Sequence, residues 1–257
     1  MSETAYTAAD IMTIVAARQL HNDTVCFVGI GQPSTAANLA RNTHAPDIVL
    51  IYESGTIGAK PPVLPLSIGD NELAETADFI VPVPEMFQYW LQGRHISVGF
   101  LGAAQIDRYA NINTTVIGDY AQPKTRLPGA GGAPEIAASC GEVFIMLKHS
   151  KRAFVEQLDF ITSVGHYQGG SSRKEIGLDS KGPTTVITDL GILEPDPETK
   201  ELTLTHIHPG ISVDQVKAET GWDLRIADAL ETTKPPTQTE LCALHDLKEK
   251  TRQAHAQ

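Results

Sequence analysis

The chain has 257 residues, with 20 Lys and Arg against 31 Asp and Glu, a formal net charge of −11, and 41% hydrophobic and 20% charged residues. This length suits one large α/β domain or two small ones with a sizeable buried core, and the composition excludes a disordered chain. The acidic field repels phosphate backbones and anionic lipid, so neither nucleic acid nor a membrane surface is expected as a partner.

In chain order, Ser2 or Thr7 is placed to cap a first helix through AADIMTIVAARQL, whose apolar residues recur at helical spacing. The β-branched run TVCFVGI follows as a buried strand and ends in Gly29-Ile30-Gly31-Gln32-Pro33-Ser34, after which TAANLARN is helical. DIVLIYES is the second strong strand and ends at Glu53-Ser54-Gly55. Further strands are predicted at DFIVPV, ISVGFLGA, NTTVIG, EVFIML, FITSVG, TTVITDL and ELTLTHI, and helical patterns at PEMFQYWLQG and APEIAASC. HYQGGSSRKEIGLDSKG reads as a mobile polar loop. Apolar strands interleaved with helices predict a mostly parallel open sheet covered by helices on both faces, with antiparallel hairpins added. One domain spans residues 1–257, closing in a charged helical tail from about residue 235.

Cys26, Cys140 and Cys242 are odd in number and far apart, with no metal-ligand spacing, so a disulfide framework and a structural metal site drop out. Cys26 and Cys140 sit in apolar company and read as buried, inert thiols. No stretch reaches membrane-spanning length, and the N-terminus lacks a signal-like pattern, so a cytoplasmic location is expected.

Ligands of open α/β sheets collect at the carboxyl ends of strands, and three turns there qualify. Gly29 to Ser34 begins like a dinucleotide fingerprint but has Ser34 in place of the third glycine, so a tight turn with Ser34 capping the next helix is preferred. Glu53 is a solvated loop carboxylate on one reading and a base or nucleophile at a cleft rim on the other. The long, irregular, only moderately polar segment GTIGAKPPVLPLSIGD behind it favours the second. Pro128 to Pro134, with Gly129, Gly131 and Gly132, suits an oxyanion or a phosphate at the start of a helix, with a plain flexible connection as an equal reading. No GxSxG elbow and no P-loop ending occurs. His206 and His208 share a strand face without a third ligand, His149 and His166 have no telling spacing, and Arg173, Lys174 and Lys181 read as solvated before they read as anion ligands.

Taken together and in order, VGIGQPS, LIYESGTIGAKP, LPLSIGD, GAAQIDRYANINTT and LPGAGGAPEIA resemble the β subunits of class I CoA-transferases, from about Thr7 into the C-terminal helix. The resemblance implies one α/β subunit that works with an α subunit and acts on an acyl-CoA and a dicarboxylic acid. It needs no metal and no cofactor beyond the CoA thioester that is its substrate. It assigns Glu53 as the residue that forms acyl-glutamyl anhydride and glutamyl-CoA intermediates, and Gly129, Gly131, Gly132 and Ala133 as the oxyanion or CoA-binding loop. Gly29, Gly31, Ser54, Gly55 and Gln105 become substrate-cleft positions. The alternatives are a CoA-transferase for glutaconate or another dicarboxylate, a CoA-thioester hydrolase of the same fold, and a non-catalytic ligand-binding domain. Ala110 stands where the family usually has glycine, a change that Asn111, tolerant of a left-handed turn, is expected to absorb. The anionic substrates call for local cations, for which Lys60, Arg108 and Lys124 are candidates beside those of the partner.

Overall fold

The computed structural model describes residues 6–256, so a cap at Ser2 lies outside the described residues. Two compact units result, one running to Phe100 and resuming at Pro235, the other Leu101–Lys234.

In the first unit Thr7 opens α1 (Ala8–Arg18). Its hydroxyl accepts from the Asp10 amide while the Asp10 carboxylate accepts from the Thr7 amide, the reciprocal pair of a capping box. Next come β1 (Val25–Val28), α2 (Gln32–Asn42), β2 (Val49–Tyr52), β3 (Thr56–Ile57), α3 (Asn71–Thr76), β4 (Phe79–Ile80), α4 (Val83–Glu85) and β5 (Val98–Leu101). β1 lies between β2 and β5 and is parallel to both, while β3 and β4 are added antiparallel beyond β2. The nearly continuous burial of β1 and β2 follows from that central position.

Two local readings change here. The expected strand DFIVPV shortens to β4, an edge strand whose Phe79 and Ile80 are 47% and 57% exposed, beside exposed Leu66, Val83 and Tyr89. The helix expected through PEMFQYWLQG is α only at its start and becomes a π-helical turn over Met86–Leu91. Met86 and Leu91, five residues apart, are both buried, and the wider i→i+5 turn brings that spacing onto one face.

The second unit begins with two hairpins, β6 (Gln105–Ile106) with β7 (Ile112–Asn113) and β8 (Val116–Gly118) with β9 (Pro123–Arg126). α5 (Ala133–Ser139), β10 (Glu142–Met146), α6 (Ser172–Glu175), β11 (Pro183–Ile187), β12 (Gly191–Pro195), β13 (Leu202–Ile207), α7 (Val213–Ala218) and β14 (Arg225–Thr232) follow. β10 and β11 are parallel, β11 to β13 form an antiparallel meander, and β14 returns parallel to β13. Parallel strands at the centre, helices between them and antiparallel additions are the mixed α/β fold that the sequence predicts.

FITSVG is not a strand; only Ser163 bridges to Ile112. The segment 166–182 leaves Lys174 and Lys181 exposed, as expected, but it is anchored around Arg173, which is not solvated. That guanidinium is buried and donates to the carbonyls of Ala137, Val164, Gly165 and Ser180 and to the Ser180 hydroxyl. The histidines also serve the fold. His149 lies between the hydroxyls of Thr188 and Thr220 and stacks on Phe154 at 3.8 Å, and its burial lowers its pKa to about 4. His208 lies between Thr233 and the Thr188 carbonyl. Cys26 and Cys140 are buried, and burial pushes the Cys140 thiol up to about 12, so it stays protonated and unreactive.

The chain then rejoins the first unit as α8 (Gln238–Ala254), whose Leu241, Leu244 and Leu247 are buried. Arg18 meets Glu240 at 2.7 Å and Lys248 meets Asp10 at 2.7 Å, so the tail is tied to α1 at two points. Among the described residues no helix is long and apolar enough to cross a membrane.

Candidate active site

Parallel pairing sets the geometry of the first two turns. Val28 is in register with Tyr52, so β1 and β2 end side by side, and the turns that follow them, at Gly29–Gly31 and Glu53–Gly55, leave the same edge of the sheet. Gly31, at φ 91°, is the cap of α2, with Pro33 in the first turn. Ser34 does not cap that helix as the sequence suggests. It lies inside the first turn, buried, and its hydroxyl is 3.1 Å from the Tyr52 hydroxyl.

Asn38 donates to the same Tyr52 oxygen at 3.1 Å and to the Ser34 carbonyl at 2.9 Å, while Arg41 donates to Asn38 and to the Pro61 carbonyl. Tyr52 is fully buried; burial raises its hydroxyl pKa despite the hydrogen bonds from Ser34 and Asn38, so it stays neutral. This network from α2 clamps the residue immediately before Glu53. Its members are separated by 3 to 20 positions in sequence and carry no motif of their own, so only the packing of α2 against β2 exposes them as a group.

Glu53 is half-buried in the turn that follows. Gly55 closes that turn by donating to the Tyr52 carbonyl at 2.9 Å, and it holds φ 103° with the Val81 carbonyl packed where a Cβ would stand. Only glycine satisfies both conditions. On either side of Gly55, the hydroxyls of Ser54 and Thr56 are buried without a hydrogen-bond partner. A buried, unpaired hydroxyl costs about 1–3 kcal/mol, so these two can accept or donate a hydrogen bond without breaking one inside the chain. Gly29, Gly31, Ser54 and Gly55 are thus brought together with Glu53.

Gln105 is placed differently. It is buried on β6, in the second unit, where its carbonyl accepts from Asn113 at 2.9 Å as part of the β6–β7 hairpin. In the same unit the glycine loop is anchored by Thr114, whose carbonyl accepts from the Gly129 amide at 2.8 Å and whose hydroxyl donates to the Gly129 carbonyl at 2.7 Å. Gly129 and Gly131 hold φ 104° and 49°, and Gly132 caps α5. The Ala133 amide is engaged with the Ala130 carbonyl, whereas the amides of Gly131 and Gly132 have no acceptor among the described residues. Of the four loop positions, those two are the available donors.

The next loop corrects a further expectation. Ala110 itself holds the left-handed conformation, φ 57°, and Asn111 instead ties the turn together by donating to Asp107 and the Tyr167 carbonyl and accepting from the Gly165 and Tyr167 amides. Among the cations that the sequence offers, Lys60 is paired with Asp78 at 2.8 Å and Arg108 lies 3.4 Å from Glu156 and 3.6 Å from Glu201. Lys124 is exposed on β9. Among the described residues no group of three His, Cys, Asp or Glu side chains is placed to hold a metal ion.

Residues 10–219 match the family model described as Coenzyme A transferase. The chain is 62% identical to a 3-oxoadipate CoA-transferase subunit of Pseudomonas knackmussii, over 98% of this chain and 97% of that one. It is 37% identical to a glutaconate CoA-transferase subunit of Acidaminococcus fermentans, over 90% and 89%. The crystal structure of glutaconate coenzyme A-transferase from the same organism superimposes with a TM-score of 0.88, at 35% identity and covering 95% of each chain.

Proposed function

We propose that this chain, which belongs to the coenzyme A transferase family, is the β-type subunit of a two-subunit enzyme that moves coenzyme A from succinyl-CoA to 3-oxoadipate, with Glu53 as nucleophile. The substrate pair rests on 62% identity, over nearly the full length of both chains, to a subunit of a 3-oxoadipate CoA-transferase. The single observation that carries the site is the turn at the end of β2, a half-buried carboxylate flanked by two buried hydroxyls without partners.

A carboxylate oxygen of Glu53 attacks the thioester carbonyl carbon of the donor, the C–S bond breaks, and an acyl-glutamyl anhydride forms as CoA thiolate leaves. The thiolate then attacks the glutamyl carbonyl, releasing succinate and leaving a glutamyl-CoA thioester. The carboxylate of the acceptor attacks that thioester in turn, and the thiolate finally takes the acceptor acyl group and frees Glu53. Every bond made is matched by one broken, and no redox step enters. We assign the Gly131 and Gly132 amides to the oxygen that becomes negative during these attacks, a role open to them because neither has an acceptor among the described residues. Gly29, Gly31 and the Ser54 hydroxyl belong to the substrate cleft beside Glu53, and no resident cofactor is required. The three free thiols fit a reducing compartment, and we place the enzyme in the cytoplasm.

The test is borohydride reduction after the chain, assembled with its partner subunit, is incubated with succinyl-CoA. Peptide mass analysis is expected to find Glu53 reduced to the alcohol, and Glu53→Ala to assemble normally while losing transfer by about a thousandfold or more. Transfer at the native rate by Glu53→Ala would overturn the proposal, as would a reduced residue elsewhere.

A further inference from the structure

We propose that the cleft framed by Arg173, Lys174, Lys181 and Lys200 is a binding site for a small phosphorylated anion. It lies where the C-terminal end of α5 meets the start of β11, and it encloses about 410 Å³, within the range of small-ligand sites. The glycine loop caps the opposite end of α5, a helix of 7 residues and so about 10 Å away. The cleft is therefore not the oxyanion loop under another name.

Its charge runs against the rest of the molecule. In a chain of net charge −11, four cations line it and Asp179 is its single carboxylate. Arg173 is held by carbonyls and a hydroxyl and makes no ion pair, so its charge is fixed in place without being neutralised. Lys174 and Lys200 have no carboxylate partner among the described residues, whereas Lys181 forms an exposed ion pair with Glu142 at 3.7 Å. His166, which also lines the cleft, senses the result. Burial is the main cause of its lowered pKa, near 4, and the charges of Arg173 and Lys200 lower it further.

The guanidinium of Arg173 has every N–H donor taken by the protein and contributes only its buried charge, so the lysine ammonium groups that line the cleft are the donors, and they suit a ligand that carries two or more negative charges on clustered oxygens. A monocarboxylate uses one of them. A nucleic acid or an acidic protein is disfavoured by the acidic body of the chain, whereas a small phosphate ester or pyrophosphate fits inside the cleft and meets only its local field.

The experiment is calorimetric titration of the assembled enzyme with inorganic pyrophosphate at constant ionic strength, using wild type and the double variant Lys174→Gln, Lys200→Asn. Asparagine is chosen because Lys200 holds φ 62°, which asparagine tolerates, and Lys174 is exposed on α6. Wild type is expected to show saturable binding that the double variant weakens by about tenfold or more, with citrate weaker than pyrophosphate in wild type. Should the double variant fail to fold, Lys174→Gln alone is expected to weaken binding by about threefold. Equal pyrophosphate affinity in wild type and variant overturns the site, and citrate binding as tightly as pyrophosphate overturns the assignment to phosphate.

Discussion

Ala110 is fully buried and holds φ 57°, a conformation that costs a non-glycine residue about 1–2 kcal/mol. Replacing it by glycine removes that strain but also removes a buried methyl worth about 0.8 kcal/mol and adds chain entropy of about 0.5–1 kcal/mol to the unfolded state. The terms nearly cancel, so Ala110→Gly is expected to shift urea-unfolding stability by less than about 0.5 kcal/mol. Ala110→Val is expected to lose about 2 kcal/mol or more, because a branched side chain suits neither the backbone nor the space. Ser54 offers the opposite contrast. Its hydroxyl is buried and unpaired in the free chain, so Ser54→Ala is expected to leave stability unchanged or raised. If the hydroxyl serves the substrate, kcat/KM falls about tenfold in the same variant, the roughly 1.4 kcal/mol of a hydrogen bond to a charged group. A stability loss with native kinetics would make Ser54 a purely structural residue.

Between α1 and α8, burial opposes ionisation of Glu240, yet the hydrogen bonds from Arg18 and Thr237 outweigh it and hold the carboxyl at about 2, against an ordinary 4.5. A group depressed in the folded state stabilises it above its unfolded value, and that contribution fades as pH falls through the folded one. Glu240→Gln is therefore expected to lower Tm at neutral pH, with the gap to wild type narrowing from about pH 4.5 and closing near pH 2, read by thermal denaturation across that range. Arg173 does the same work inside the second unit with carbonyl partners. Arg173→Met is expected to cost on the order of 3 kcal/mol or more in denaturant unfolding, since several buried carbonyls lose their donor at once. These two cases also show what sequence could reveal. The Thr7 cap of α1, the apolar runs of β1 and β2 and the Glu53 turn are local patterns, and they read directly, whereas the capping box of Thr237 and Glu240 at α8, equally local, is missed. Arg173 reads as solvated in sequence because its partners lie 7 to 36 positions away, and FITSVG reads as a strand because β-branched composition does not ensure a neighbouring one. β14 is half exposed and shows no clear alternation, and the π turn has an apolar spacing of five that no helix pattern contains.

At the scale of the whole chain, a net charge of −11 faces proposed substrates that are themselves anions. The candidate cations Lys60 and Arg108 are already engaged by carboxylates, so neither is free to hold a CoA thioester. Isolated chain is expected to bind succinyl-CoA at least about tenfold more weakly than the assembled enzyme, measured by calorimetry at matched ionic strength. Equal affinity would mean that the cations on this chain suffice.

The edge strand β4 has a consequence for how the chain must be made. Its Phe79 and Ile80 point outward on an edge strand, with Leu66, Val83 and Tyr89 also exposed in this unit. A two-residue edge offers little for strand pairing, but exposed apolar side chains such as these favour association of the isolated chain with itself, and the tendency grows with concentration. A cell that synthesises this polypeptide in excess thus accumulates a sticky surplus, and the ratio in which subunits are translated becomes a matter of solubility as well as of economy. Light scattering on the isolated chain is expected to rise with concentration, and Ile80→Lys, a gatekeeper charge on that edge, to suppress it.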